Sequence, residues 1–261
     1  MNNSEWHKQL AEVVSSLGEE DFPAKMTAAL RQITPFEFCV IFAYRQDDTP
    51  LCLYNDFPTE QKRRMHVEDY QAGPYLLDPF YLATVKPIEP GLYRFKEVAP
   101  DRFFQGEYYK NYYQATRLAE EIGLFVSVGD ISIVTSLMRN DKPFSTPQMK
   151  KLQEVAPLFQ AAVIHHWQEI HQHFPGSEAV TATANSRIQQ LLQEKNYSLT
   201  PREVEVVEYT LKGYSAEAAA QVMEISTGTV RIHKRNIYSK LRINSQGELF
   251  SIFFNAFTEN Q

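Results

Sequence analysis

The stretch "STGTVRIHKRNIYSKLR", Ser226–Arg242, decides how the C-terminal part of this chain is read. From Thr229 to Arg242 it carries five Lys or Arg and no acid, whereas the whole 261-residue chain has a formal net charge of −6. Residues 199–261 hold seven basic and seven acidic residues, so the excess negative charge resides in the first 198. The basic strip is local, and a local partner is its physical reading. Val230, Ile237 and Leu241 recur on one side at helical spacing, while Arg231, Lys234, Arg235 and Lys240 project elsewhere. The competing reading is a solvated helix face with no partner.

The residues around the strip favour the partner. In "LTPREVEVVEYTLKGYS", Thr200 is placed to cap a helix, Pro201 suits its first position and Glu203 follows three residues after the cap. Val204, Val207 and Leu211 form one apolar face, and Gly213 falls where a helix ends on a left-handed residue. Ser215 caps a second helix, "AEAAAQVM"; after "EIS" a third runs from about Thr227 to Leu241. A fourth, from about Gln246 to Phe257, carries Leu249, Ile252, Phe253 and Phe254. Two short helices, a tight break and a longer basic helix make a helix-turn-helix. The N-terminal half of its second helix enters the DNA major groove, where Arg reads guanine edges and other cations meet phosphates. The small residues Ser226, Thr227, Gly228 and Thr229 leave that helix start open to phosphate oxygens.

About 60 residues here resemble the DNA-binding domain of LuxR-type transcription regulators. The resemblance rests on the Leu-Thr-Pro-Arg-Glu opening, the Gly-x-Ser link, Ile-Ser-x-x-Thr-Val, His233, and Ile237-x-x-Lys240-Leu241. It implies a four-helix module, base reading by Arg231, Ile232 and Arg235, and phosphate contacts from Thr229, His233 and Lys234. Thr227 and Lys240 complete the candidate DNA-binding set. The resemblance also implies a homodimer, often formed through the last helix. Three positions depart from the family pattern: Glu224 stands where Gly is usual, Ala219 where a larger aliphatic is usual, and Gly228 where a polar helix former is common. If the backbone at Glu224 is left-handed, Glu costs on the order of 1 kcal/mol over Gly.

The first half reads as mixed helix and strand. Residues 5–17 and 22–32 have helical spacing, and 59–70 looks helical with one polar side. "FEFCVIFAY" (36–44) and "LCLYNDF" (51–57) are strands of a hairpin across "RQDDTP", and "LFVSV" (124–128) and "ISIVTSLMR" (131–139) flank a Gly129-Asp130 turn. A long amphipathic helix follows from Pro147 to about His173. The expected fold is an α+β sensor domain over 1–175, an antiparallel sheet flanked by helices in a GAF- or PAS-like layout. "FPGSEAVTATANS" (174–186) marks a boundary and 176–196 a linker, and an all-α helix-turn-helix domain occupies 197–261.

Residues 70–113 hold 12 aromatics, about twice the chain's average density. Aromatic walls with polar tips line small-molecule pockets. Tyr75, Asp78, Phe80, Tyr81, Phe104 and Tyr112 are the candidate ligand-binding residues, with Asp78 able to meet a cation. For any one ring, plain packing remains the alternative. "GPYLLDPFYLA" (73–83) resembles the Asp-Pro region of autoinducer sensors, but only Trp6 and Trp167 exist, neither at the family's pocket position. A phosphorylated receiver does not fit, because the second strand follows at once as a hairpin.

Cys39 and Cys52 fit buried thiols better than a redox pair. "HHWQEIHQH" (165–173) brings no Cys or Asp, and its spacing does not close a metal site. No nucleophile elbow, phosphate loop or zinc-protease motif is present, so neither an enzyme nor a cofactor is expected. No run approaches the roughly 20 apolar residues of a membrane span, and the N-terminus does not read as a signal peptide. The expectation is a cytoplasmic DNA-binding regulator, dimeric, responsive to a small molecule of unknown class, with RNA polymerase a candidate further partner. The alternative is a regulator whose N-terminal domain binds a protein or only dimerises.

Overall fold

The computed structural model describes residues 3–45, 48–86, 88–174, 188, 192 and 197–258. The elements run α1 (Asn3–Ser15), α2 (Phe22–Ile33), β1 (Phe38–Tyr44), β2 (Leu51–Asn55), α3 (Glu60–His66), α4 (Glu68–Gln71), α5 (Pro79–Val85), β3 (Gly91–Arg94), α6 (Phe95–Val98) and α7 (Glu107–Asn111). They continue with β4 (Glu120–Val128), β5 (Ile131–Arg139), α8 (Thr146–His166), α9 (Pro201–Leu211), α10 (Ala216–Val222), α11 (Thr227–Leu241) and α12 (Gln246–Thr258). By packing, the chain forms two compact units that interleave in sequence. The first comprises 1–64, 83–98 and 118–178; the second comprises 65–82, 99–117 and 179–261. The linker expected over 176–196 lies outside the described residues apart from Ile188 and Leu192, both buried.

The first unit is built on a five-stranded antiparallel sheet in the order β2-β1-β5-β4-β3. Alternation along each strand sends Cys39, Ile41 and Ala43 of β1, Ile122, Leu124 and Val126 of β4, and Ile131, Ile133 and Leu137 of β5 to one core. Phe22, Met26 and Leu30 of α2 and Leu152, Phe159 and Val163 of α8 join that core. β1 is buried at all seven positions, which is why it reads as a continuous apolar run rather than an alternation. α8 opens with a capping box in which Ser145 and Gln148 satisfy each other's backbone N–H.

Three details differ from the sequence reading. The segment read as one helix over 59–70 is two, α3 and α4, meeting at Val67. The long helix stops at His166, and Ile170–His173 forms a separate 3-10 turn that returns Ile170 and Phe174 to the core. No Gly or Pro marks that break. The structure also adds the edge strand β3, paired with β4 over Gly91↔Phe125 to Arg94↔Ile122. Arg94 fixes this edge by donating to Glu120 and to the Phe144 carbonyl at 2.7 Å.

The candidate thiols and histidines have structural places. Cys39 is buried, and desolvation pushes its thiol up to about 12, which suppresses the reactive thiolate. Cys52 is half-buried and pairs with Phe42, three positions from Cys39 along β1. His166 stacks on Phe22 at 4.2 Å, and its Nδ1 accepts the Gly18 N–H at 3.0 Å.

Candidate nucleic-acid interface

The second unit holds the four C-terminal helices. Thr200 accepts the Glu203 N–H at 3.3 Å while the Glu203 carboxylate accepts the Thr200 N–H at 2.7 Å, closing a capping box on α9. Gly213 has φ +89°, as a residue just past the end of α9 requires. Ser215 caps α10 by accepting the Ala218 N–H at 2.9 Å. The turn into α11 passes through Glu224 at φ 56°, so the left-handed backbone that favours Gly is present under a Glu side chain. Ser226 caps α11 by accepting the Thr229 N–H at 3.0 Å, and the two hydroxyls lie 2.8 Å apart. The start of α11 is thus satisfied in part from within, rather than left wholly open.

α11 presents two faces. Val230, Ile237 and Leu241 are buried against the module. Gly228, Arg231, Ile232 and Arg235, at i, i+3, i+4 and i+7, form an exposed stripe. Ile232, 52% exposed, is the apolar member of that stripe. Arg231 reaches Glu217 on α10 at 2.7 Å, an exposed pair that salt screens easily. Thr227, Thr229, His233 and Lys234 are half-buried along the flanks of α11.

Lys240 is placed differently from the rest of the set. Its ammonium donates to the buried Glu203 at 2.6 Å, tying the last turn of α11 to the first turn of α9. Burial works to raise the Glu203 carboxyl, but the bonds from Lys240 and Thr200 prevail and hold it below its usual range. The charge of Lys240 is therefore matched inside the module.

The aromatic segment divides into groups. Tyr75, Asp78, Phe80 and Tyr81 are buried together, with Tyr75 edge-on to Tyr81 at 5.0 Å. Asp78 caps α5, its Oδ1 accepting the N–H groups of Phe80 at 2.7 Å and Tyr81 at 3.3 Å. Burial pushes its carboxyl up to about 7, against those two bonds. Phe104 and Tyr112 belong to a second group centred on Phe103, Tyr108, Tyr109 and Tyr113. Tyr112 also donates to the Met65 carbonyl at 3.0 Å and lies 6.2 Å from Phe254 of α12.

This second group is packed on the helix-turn-helix, which no local sequence signal announced. The Arg102 N–H donates to the Gly213 carbonyl at 3.1 Å, and the Ser215 N–H donates to Asp101 at 3.0 Å. α7 packs against α12.

A capped four-helix module with an exposed, cation-bearing third helix defines a helix-turn-helix DNA-binding regulator. Residues 197–253 match the family described as bacterial regulatory proteins, luxR family. An HTH-type transcriptional regulator named for the exeN 3′ region of Aeromonas salmonicida is 33% identical over 184 residues, covering 68% of this chain and 93% of that protein. The chain belongs to the LuxR family of transcription regulators, and its relatives point to regulation rather than catalysis. It is also 31% identical over 116 residues to the "Monoamine regulon transcriptional regulator" of Klebsiella aerogenes, covering 44% of this chain and 41% of that protein. Among solved structures, the LBD domain of VqsR from Pseudomonas aeruginosa shares the fold, with a TM-score of 0.54 and 22% identity over 66% of this chain and 99% of that one. Among the described residues no helix is long and apolar enough to cross a membrane.

Proposed function

We propose that this chain is a dimeric, cytoplasmic transcription regulator in which a small molecule bound by the α+β part controls promoter binding through α11. The observation that carries the reading is the exposed stripe of Gly228, Arg231, Ile232 and Arg235 opposite the buried Val230, Ile237 and Leu241. Arg231 and Arg235 reach base edges in the major groove, and Ile232 supplies an apolar contact of the kind a thymine methyl takes. Thr227, Thr229, His233 and Lys234 meet phosphates beside them. Two copies of α11, one DNA turn apart, read a two-fold related site.

The test starts from duplexes selected out of random sequence by the full chain. Arg231→Ala loses about 1–3 kcal/mol on the selected site and much less on unrelated DNA. An equal loss on every duplex reduces Arg231 to a phosphate contact.

The sensing half is supported by the fold shared with the LBD domain of VqsR and by the cluster of Tyr75, Asp78, Phe80 and Tyr81. Thermal unfolding of the full chain against amines, organic acids and acyl lactones tests it. A ligand at a hundredfold its dissociation constant adds about 2.7 kcal/mol to the folded state. No shift with any class turns the N-terminal part into a dimerisation or protein-docking element, with RNA polymerase one candidate partner.

A further inference from the structure

Where the 102–106 turn meets the helix-turn-helix, the second unit encloses a cleft of about 360 Å³. Its lining includes Arg102 and Gln105 from the turn, Glu217 from α10, Arg231 and Lys234 from α11, and Gln246 from α12. Arg231 spends its charge on Glu217. Among the described residues no carboxylate lies within ion-pair distance of Arg102 or Lys234. The nearby Asp101 is engaged by the Ser215 N–H. Three cations, Arg102, Arg231 and Lys234, thus share one cleft with a single lining carboxylate, Glu217, and Gln105 adds an amide donor. Burial, and then the proximity of Arg102, pushes the Lys234 ammonium down from its usual range. A volume of this size holds a small organic molecule rather than a bare ion. Arg102 supplies a planar fork and Lys234 a compact charge, a pairing suited to phosphate oxygens.

We propose that this cleft binds a small phosphate monoester through Arg102 and Lys234, and that its occupation competes with DNA for α11. The competition rests on the reading of α11 as the DNA-contacting helix; the site itself does not. A bound ester satisfies the two cations and bridges the 102–106 turn to α11. DNA phosphates and the ester then draw on the same Lys234.

The experiment has two arms, both on the full chain. In the first, without DNA, thermal unfolding is followed against glycerol 3-phosphate, with glycerol and with sodium chloride at matched ionic strength as controls. The expected result is a dose-dependent rise with the phosphate ester alone, abolished in Arg102→Gln, whose exposed position leaves folding intact. An equal rise with chloride, or a rise retained by Arg102→Gln, overturns the site. No rise, together with weakened DNA binding by Arg102→Gln, also overturns it and assigns the cleft to a DNA backbone phosphate. In the second arm, anisotropy of labelled duplex DNA is read at ten times the ester's dissociation constant. Competition raises the apparent Kd about elevenfold in the wild-type chain and leaves Arg102→Gln unmoved by the ester. An unchanged Kd overturns the competition. A chain that binds the ester but no DNA overturns the DNA-contacting role of α11 and leaves the site standing.

Discussion

Asp78 shows how one residue can hold a structural duty that its chemistry alone does not announce. A carboxylate among tyrosines suggested a partner for a cation. The structure sets it at the start of α5, where it accepts two backbone N–H groups and is only 7% exposed. An Asp directly before a Pro is also a cap signal, and Asp78-Pro79-Phe80 fits that grammar as well. Its carboxyl, pushed up to about 7 by burial, makes a prediction about pH. The folded value lies above the unfolded value of about 3.9. Protonated Asp78 therefore adds stability that is complete below about pH 4 and is lost as pH rises through about 7. Asp78→Asn keeps a capping oxygen and cannot ionise. Its melting temperature relative to the wild-type chain should climb between pH 5 and pH 8. A constant difference across that interval rules out the burial of an ionisable group as the cause. Glu224 was legible only through the family resemblance, which has Gly at that turn; the backbone there is left-handed at φ 56°.

Among elements, those with strong local codes were legible. The capping box at Thr200, the Gly129 turn and the apolar runs of β1 and β5 each carry enough information in a few consecutive residues. β3 was not legible, because four residues between a Pro-rich turn and α6 show no alternation to count. What makes it a strand is distant: β4 offers an unpaired edge, and Arg94 is held by Glu120 and by the Phe144 carbonyl, 50 residues away. On α11 the sequence treated Lys234 and Lys240 alike as cations of a basic helix. Their surroundings separate them, since Lys240 already has Glu203 as a partner, whereas among the described residues no carboxylate lies within ion-pair distance of Lys234. Each phosphate contact contributes about one unit to the slope of log affinity against log salt. Lys234→Ala should flatten that slope by about one unit, whereas Lys240→Ala should leave it unchanged and cost about 1 kcal/mol of stability through the lost bond to Glu203. Equal changes of slope in the two variants would place both on the DNA backbone.

Across the whole chain, the contact that sequence could not reveal joins residues more than a hundred positions apart. Gly213 ends α9, and the same glycine lies against the 99–117 segment. A Cβ built there would stand 2.8 Å from the Phe103 Cα, closer than backbone allows, so the position is constrained twice. Gly213→Ala should lose at least about 1–2 kcal/mol from the left-handed backbone alone, with the clash added, in a denaturant titration of the full chain. A neutral result would mean that the 99–117 segment yields freely. Local propensity accounts for the glycine as a helix stop; only the fold accounts for its second duty.

That second duty bears on how such regulators can be recombined. Exchanging C-terminal modules between relatives looks like cutting at the boundary near residue 197. Here the graft would have to bring a bare α-carbon at 213 to meet Phe103, and a free N–H at 215 to meet Asp101. A donor module with any side chain at the first position would fit badly in its new host. Compatibility between the parts of a chimera then turns in part on one missing methyl group.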